Sequence, residues 1–159
     1  MATRAQKIGG AAAIATALAI PAEGLRQVAY RDPAQGIPTI CFGSTRGVRM
    51  GDTATVEQCR EMLTREMLEA VEAVDRCQPG LPVEVLAAFA DAAYNVGPVV
   101  ACDVTRSTAA RLLAARRYAD ACDQLLRWDK ARVAGVMVAL PGLTRRRAAE
   151  RDVCLRGAA

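Results

Sequence analysis

Residues Ile8 to Ala22 carry no charge, and the first charged side chain after them is Glu23. The run reads Ile-Gly-Gly-Ala-Ala-Ala-Ile-Ala-Thr-Ala-Leu-Ala-Ile-Pro-Ala. A stretch of this kind has to leave water, either into a core or into a bilayer. Arg4 and Lys7 precede it and no acid does. A basic start before an apolar run is the pattern of an export signal, and Ala17-Leu18-Ala19 offers a small-residue cleavage site. A permanent anchor is disfavoured: the run is shorter than the ~17–25 residues of a spanning helix, and Ala, Gly and Thr are weakly hydrophobic. A segment that inserts weakly, stays uncleaved and later leaves the bilayer fits better. A cleaved signal peptide and an ordinary Ala-rich core helix are the alternatives.

Glu23 is followed nine positions later by Asp32. Glu23 directly follows the apolar run, where burial favours a protonated carboxyl. Asp32 lies between Tyr30-Arg31 and Pro33, which predicts a wetter turn and an ionised carboxylate. Two carboxyls kept in different protonation states are what glycoside hydrolysis requires. One protonates the leaving oxygen, and the other serves the water or the developing cation. Spacing alone fits two unrelated surface acids equally well.

The surrounding residues add what spacing lacks. Glu23-Gly24-Leu25-Arg26, Ala29-Tyr30-Arg31-Asp32-Pro33 and Thr39-Ile40-Cys41-Phe42-Gly43-Ser44-Thr45 together resemble the catalytic signature of the tailed-phage lysozymes, endolysins that are muramidases. That family reads Glu, eight residues, Asp, five residues, Thr. Glu23 and Asp32 keep the spacing, and Thr39 comes one residue late. The family usually has His where this chain has Ser44, and this chain has no His. The resemblance implies an α+β lysozyme-like fold, with a small β-containing lobe and a larger helical lobe joined by a long helix. It implies hydrolysis of the β-1,4 link between N-acetylmuramic acid and N-acetylglucosamine in peptidoglycan. Glu23 would be the general acid, Asp32 the base or electrostatic partner, and Thr39 the group that places the water. Inversion at the anomeric centre would set the two carboxyls ~6.5–9.5 Å apart. No metal or organic cofactor is implied.

Residues 1–22 resemble the signal-arrest-release segment of some phage endolysins, which leaves residues 23–159 as the catalytic domain. This implies export to the host periplasm, with initial tethering to the inner membrane through residues 8–22, and a monomer. While the segment is in the membrane, Glu23 is held at the lipid surface, away from a completed cleft. No cysteine lies in residues 1–22, so refolding of the segment, rather than disulfide exchange, is the expected trigger.

Farther along, Ile37–Phe42 and Val48–Met50 are β-prone runs broken by Gly43 and Gly47, predicting a hairpin or a three-stranded sheet. Thr55, with Glu57 and Gln58 nearby, starts a helix reaching about Arg76, with Met62, Met67, Leu68, Val71 and Val74 at helical spacing. By resemblance this is the helix that links the lobes. Pro79-Gly80-Leu81-Pro82 ends it, and Val83–Tyr94 is an apolar core helix. Asn95-Val96-Gly97 matches a family motif at a helix end. Asn95 is a candidate substrate contact, with a helix stop at least as well supported. Ser107 is a capping candidate, Ala109–Ala115 and Tyr118–Trp128 are short helices, and Trp128 is read as core. Leu140-Pro141-Gly142-Leu143 opens a basic C-terminal helix that Thr144 can cap. Arg145, Arg146 and Arg147 in its first turn oppose the helix dipole. A solvated basic face is the preferred reading, with neighbouring carboxylates or an anionic ligand as alternatives.

Of 21 basic residues only Lys7 and Lys130 are lysine, and the net charge is +4. Aromatic residues are few and no basic stretch interleaves with them, which speaks against nucleic-acid binding. Cys41, Cys59, Cys77, Cys102, Cys122 and Cys154 lack Cys-x-x-Cys spacing, so disulfides in an oxidising compartment are favoured over zinc. Cys41–Cys59 and Cys122–Cys154 are the preferred pairs among the alternatives. Two rival functions are a lytic transglycosylase, needing a single acid, and a non-enzymatic membrane-active protein using the basic C-terminal helix and the apolar N-terminus.

Overall fold

The computed structural model describes residues 1–159. Helix α1 spans Arg4–Ala22, so the uncharged run is a helix. Thr3 starts it with a capping box: the Gln6 amide donates to Thr3 Oγ1, and the Thr3 amide donates to Gln6 Oε1. Ala11, Ala12, Ala15 and Ala19 are buried along one face. Their small side chains let α1 lie close against α2 (Val56–Cys77) and α3 (Val83–Val96). Arg4 pairs with Asp75 of α2 at 2.6 Å. No helix of the structure is long and apolar enough to cross a membrane. Glu23 caps the C-terminal end of α1, its amide donating to the Ala19 carbonyl.

Strands β1 (Arg26–Arg31) and β2 (Pro38–Cys41) form an antiparallel hairpin with Tyr30 opposite Thr39. The sequence pattern does not mark β1, because most of its side chains face water and only Ala29 is buried. The expected third strand at Val48–Met50 is absent. The Arg49 amide donates to Asp52 Oδ2, closing a turn between Gly47 and Gly51, and Val28 instead bridges to Thr53.

Thr55 and Gln58 form a second capping box at the start of α2. This helix buries Cys59, Leu63, Met67, Val71 and Val74. Leu63 therefore takes the inward place expected of Leu68, which is exposed. The residues Val85 to Ala92 of α3 are all buried, which makes α3 the central helix of the larger lobe. Around it lie α4 (Val99–Cys102), α5 (Thr108–Ala114), α6 (Tyr118–Gln124) and a 3-10 turn over Leu125–Trp128. Ser107 caps α5, accepting from the Ala110 amide and donating to the Val100 carbonyl. Trp128 is half-buried and packs against the core.

A second hairpin, β3 (Lys130–Val133) with β4 (Val136–Ala139), precedes α7 (Pro141–Gly157). Thr144 does not cap α7. It lies within the first turn and donates to Asp129 Oδ2 and the Leu140 carbonyl. Because α7 starts at Pro141 rather than after Thr144, Arg145, Arg146 and Arg147 fall in its second turn and not, as expected, in its first. Arg146 and Arg147 are buried, so the expected solvated basic face holds only for Arg145. The disulfides are Cys41–Cys59, Cys77–Cys102 and Cys122–Cys154, matching the two preferred pairs.

Candidate active site

Between the β1–β2 lobe and the helical lobe runs a cleft of about 620 Å³. Glu23, Asp32, Thr39 and Asn95 all line it. The end of α1 supplies Glu23, the turn after β1 supplies Asp32, β2 supplies Thr39, and the end of α3 supplies Asn95. The extra residue between Asp32 and Thr39 is absorbed in a turn: Asp32 Oδ1 accepts from the amides of Ala34 and Gln35, and the Gly36 amide donates to the Asp32 carbonyl. Thr39 is buried, and its hydroxyl donates to the Ile37 carbonyl at 3.1 Å.

Glu23 does not sit against an apolar wall as its position after the Ala-rich run suggests. Arg146 Nη1 donates to Glu23 Oε1 at 2.5 Å, with the glutamate side chain 24% exposed. A carboxylate at a helix C-terminus faces the partial negative charge of the backbone carbonyls. Arg146 supplies the opposing charge. Behind it, the fully buried Asp91 accepts from Arg146 Nε at 3.0 Å and from Nη2 at 2.7 Å. Burial works against the charge on Arg146, and Asp91 and Glu23 outweigh it, raising the guanidinium above its ordinary value.

Arg147 and Glu150 extend this buried cluster. Arg147 Nη2 donates to Glu150 Oε1 at 2.7 Å and to Asn95 Oδ1 at 3.0 Å. Burial pushes the Glu150 carboxyl well up, with Asp91 adding to the effect, and pulls Arg147 down. Asn95 lies inside α3, and the helix stop itself falls on Gly97, whose φ of 92° suits glycine.

Tyr94, Arg46, Glu66 and Glu69 also line the cleft and escaped the sequence reading. Tyr94 donates to Glu66 Oε2 at 3.0 Å, and burial, reinforced by Glu66, pushes its hydroxyl above its ordinary range. Arg46, in the loop after β2, makes two hydrogen bonds to Glu69 of α2, at 2.9 and 2.8 Å. Beside the cleft wall but not lining it, Ser44, where the family usually has His, is buried and its hydroxyl has no hydrogen-bond partner. Asp91 left one trace in the sequence: it is the only charge between Val85 and Tyr94, and a lone acid in an apolar helix needs a partner.

The model of the family described as phage lysozyme matches residues 21–150, a span that includes both the cleft and the α7 arginines. The chain belongs to the phage lysozyme family. This lysozyme is 42% identical over 147 residues to the SAR-endolysin of Pseudomonas phage phiKMV, covering 91% of this chain and 89% of that protein. Its fold is similar to the muramidase domain of SpmX from Asticaccaulis excentricus (TM-score 0.78, 29% identity, 89% of this chain and 94% of that one). It is also similar to the active form of P1 phage endolysin Lyz (TM-score 0.77, 26% identity, 92% and 85%). The lysozyme is thus a glycoside hydrolase with an α+β fold, and its family acts on peptidoglycan.

Proposed function

We propose that this lysozyme is an endolysin that cleaves the β-1,4 MurNAc–GlcNAc bond with Glu23 as general acid, Asp32 as base or electrostatic partner, and Thr39 as the group that places water. The observation carrying this reading is that all three side chains line one cleft between the lobes. Arg146 holds Glu23 Oε1, so Oε2 is the oxygen left to carry a proton to the glycosidic oxygen. Oε2 lies on the Gly43 side, where a methyl group in place of the glycine hydrogen would come within 3.7 Å of it. Two backbone amides fix Asp32 Oδ1, which leaves Oδ2 for the water or the cation. Thr39 spends its proton on the Ile37 carbonyl, so its oxygen lone pairs are available to accept from a water. Asn95 commits Oδ1 to Arg147 and keeps its Nδ2 donors for the sugar.

The same reading covers the N-terminus. Residues 1–22 act as an export segment that tethers the protein transiently to the inner membrane, and residues 23–159 are the catalytic domain, working as a monomer in the host periplasm. Support comes from the SAR-endolysin relatives and from the weakly hydrophobic, Ala-lined face of α1. Because Glu23 terminates α1, removing α1 from the core also removes Glu23 from Arg146.

The test is clearing of permeabilised Gram-negative cells by Glu23→Gln beside the parent, both shown folded, with mass analysis of the fragments. Clearing by the parent alone, with reducing-end products, supports the hydrolase. Products ending in an anhydro-sugar would convert the reading to a transglycosylase. Equal clearing by both would leave only membrane activity. That alternative draws on the basic C-terminal helix, in which Arg146 and Arg147 are buried and only Arg145 of the three consecutive arginines is exposed.

A further inference from the structure

We propose that Asp91, a residue that does not line the cleft, sets the orientation and charge balance of the general acid by acting through Arg146. The inference rests on Glu23 being that acid. Asp91 is fully buried on α3, and both its oxygens are engaged by Arg146 through two separate nitrogens. A two-point grip fixes the plane of a guanidinium as a single contact does not. With Nε and Nη2 committed to Asp91, Nη1 is the nitrogen that projects to Glu23. Asp91 therefore fixes where the cleft carboxylate is held, one guanidinium away.

The charge consequence follows from the same chain. Arg146 lies between two carboxylates, at 2.7 Å from Asp91 and 2.5 Å from Glu23. Asp91 offsets the cation from behind. Without that offset Arg146 faces Glu23 with only Glu150, at 3.7 Å, as a second carboxylate, and its pull on negative charge at Glu23 strengthens. Tyr94 on α3, Glu66 on α2 and Asp32 after β1 share the cleft wall with Glu23, and Arg147 and Glu150 of α7 flank Arg146 and Asp91. None of these is hydrogen-bonded to Arg146, and Glu150 approaches it only to 3.7 Å.

Two variants test this. Asp91→Asn keeps the shape and removes the charge. Asp91→Asn with Arg146→Gln removes both charges together and leaves a neutral amide pair, so that neither partner is left as an uncompensated buried charge. For Asp91→Asn, kcat falls on the order of 10- to 100-fold with KM little changed, and the alkaline limb of the kcat/KM profile moves to lower pH. In the double variant kcat stays low, but the limb moves back to the parent position or above it. Opposite displacement of the limb is something a purely structural role for Asp91 would not produce. The proposal is overturned if both folded variants keep the parent pH profile, or if the double variant restores parent kcat. Should Asp91→Asn fail to fold, the double variant decides alone: parent-like kcat and profile refute the proposal. Retention of activity by Glu23→Gln would refute the general-acid reading itself, a separate result.

Discussion

Cys122–Cys154 ties α6 to α7, the helix that carries Arg146. Replacing both cysteines with alanine opens a loop whose ends are 32 residues apart. In the chain-entropy treatment, closing a loop of that length stabilises the fold by about 3.7 kcal/mol, because the unfolded chain loses freedom. Both cysteines are fully buried, so loss of their sulfur atoms adds a smaller cavity cost of the same sign. Alanine is the right replacement, since serine would bury a hydroxyl. For a chain of this size, each kcal/mol moves the melting midpoint by about 2–4 °C, giving a fall of about 7–15 °C. The assay is thermal unfolding followed by circular dichroism, with peptide mapping to show that Cys41–Cys59 and Cys77–Cys102 still form. A shift under about 2 °C, with those two pairs intact, would refute the loop-closure reasoning. Well below both midpoints the variant keeps parent clearing activity, because Asp91 still holds Arg146 in place.

Leu63 is fully buried on α2, and Leu63→Ala is expected to cost about 2–5 kcal/mol in urea unfolding, whereas Leu68→Ala, on the exposed side, costs far less. Gly43 has a φ of 97°, so Gly43→Ala adds about 1–2 kcal/mol of backbone strain and the melting midpoint should fall, while the added methyl meets Glu23 Oε2 only at an ordinary contact distance of 3.7 Å. A chain lacking residues 1–20 loses the buried Ala11, Ala12, Ala15 and Ala19, and should unfold at lower denaturant and clear cells poorly; parent-like behaviour would defeat the refolding trigger proposed for α1. Hydrogen bonds from Thr105 and Arg106 hold the Asp103 carboxyl well below its usual range. A carboxyl lowered on folding stabilises above its unfolded value, near pH 4, and that contribution is lost as pH falls toward the folded value. Asp103→Asn should therefore reduce stability at pH 7 and flatten the decline below about pH 4, as read by urea midpoints across pH.

The parts of the site that were legible in the sequence are those that lie close together along it. Glu23, Asp32 and Thr39 fall in one block, separated only by a turn and a hairpin, and the fold that follows from their family pattern places them in one cleft. Helix α2 was legible for a similar reason, since its period and its capping box are both local, although the period did not choose between Leu63 and Leu68. Strand β1 was not legible: its side chains mostly face water, and its identity comes from pairing with β2. The Glu23–Arg146 pair spans 123 residues, and Asp91–Arg146 spans 55. No local pattern records such distances. Two conflicts did point toward them. Three consecutive arginines stood near the start of a predicted helix, and one acid stood inside an apolar helix. The helix begins at Pro141, a turn earlier than Thr144 suggests, so burial rather than the dipole is what makes Arg146 and Arg147 need a partner. Taken singly, each conflict has a bland solution: arginines can turn to water, and an acid can sit at the edge of a core. Taken together they answer each other, because the buried acid requires a cation and the buried cations require an acid. Partner assignment of this kind also explains Glu23. Its place at the end of an Ala-rich helix suggested an apolar pocket, yet the helix terminus itself already disfavours a negative charge, and the pairing with Arg146 brings the arginine that Asp91 holds into direct contact with the cleft.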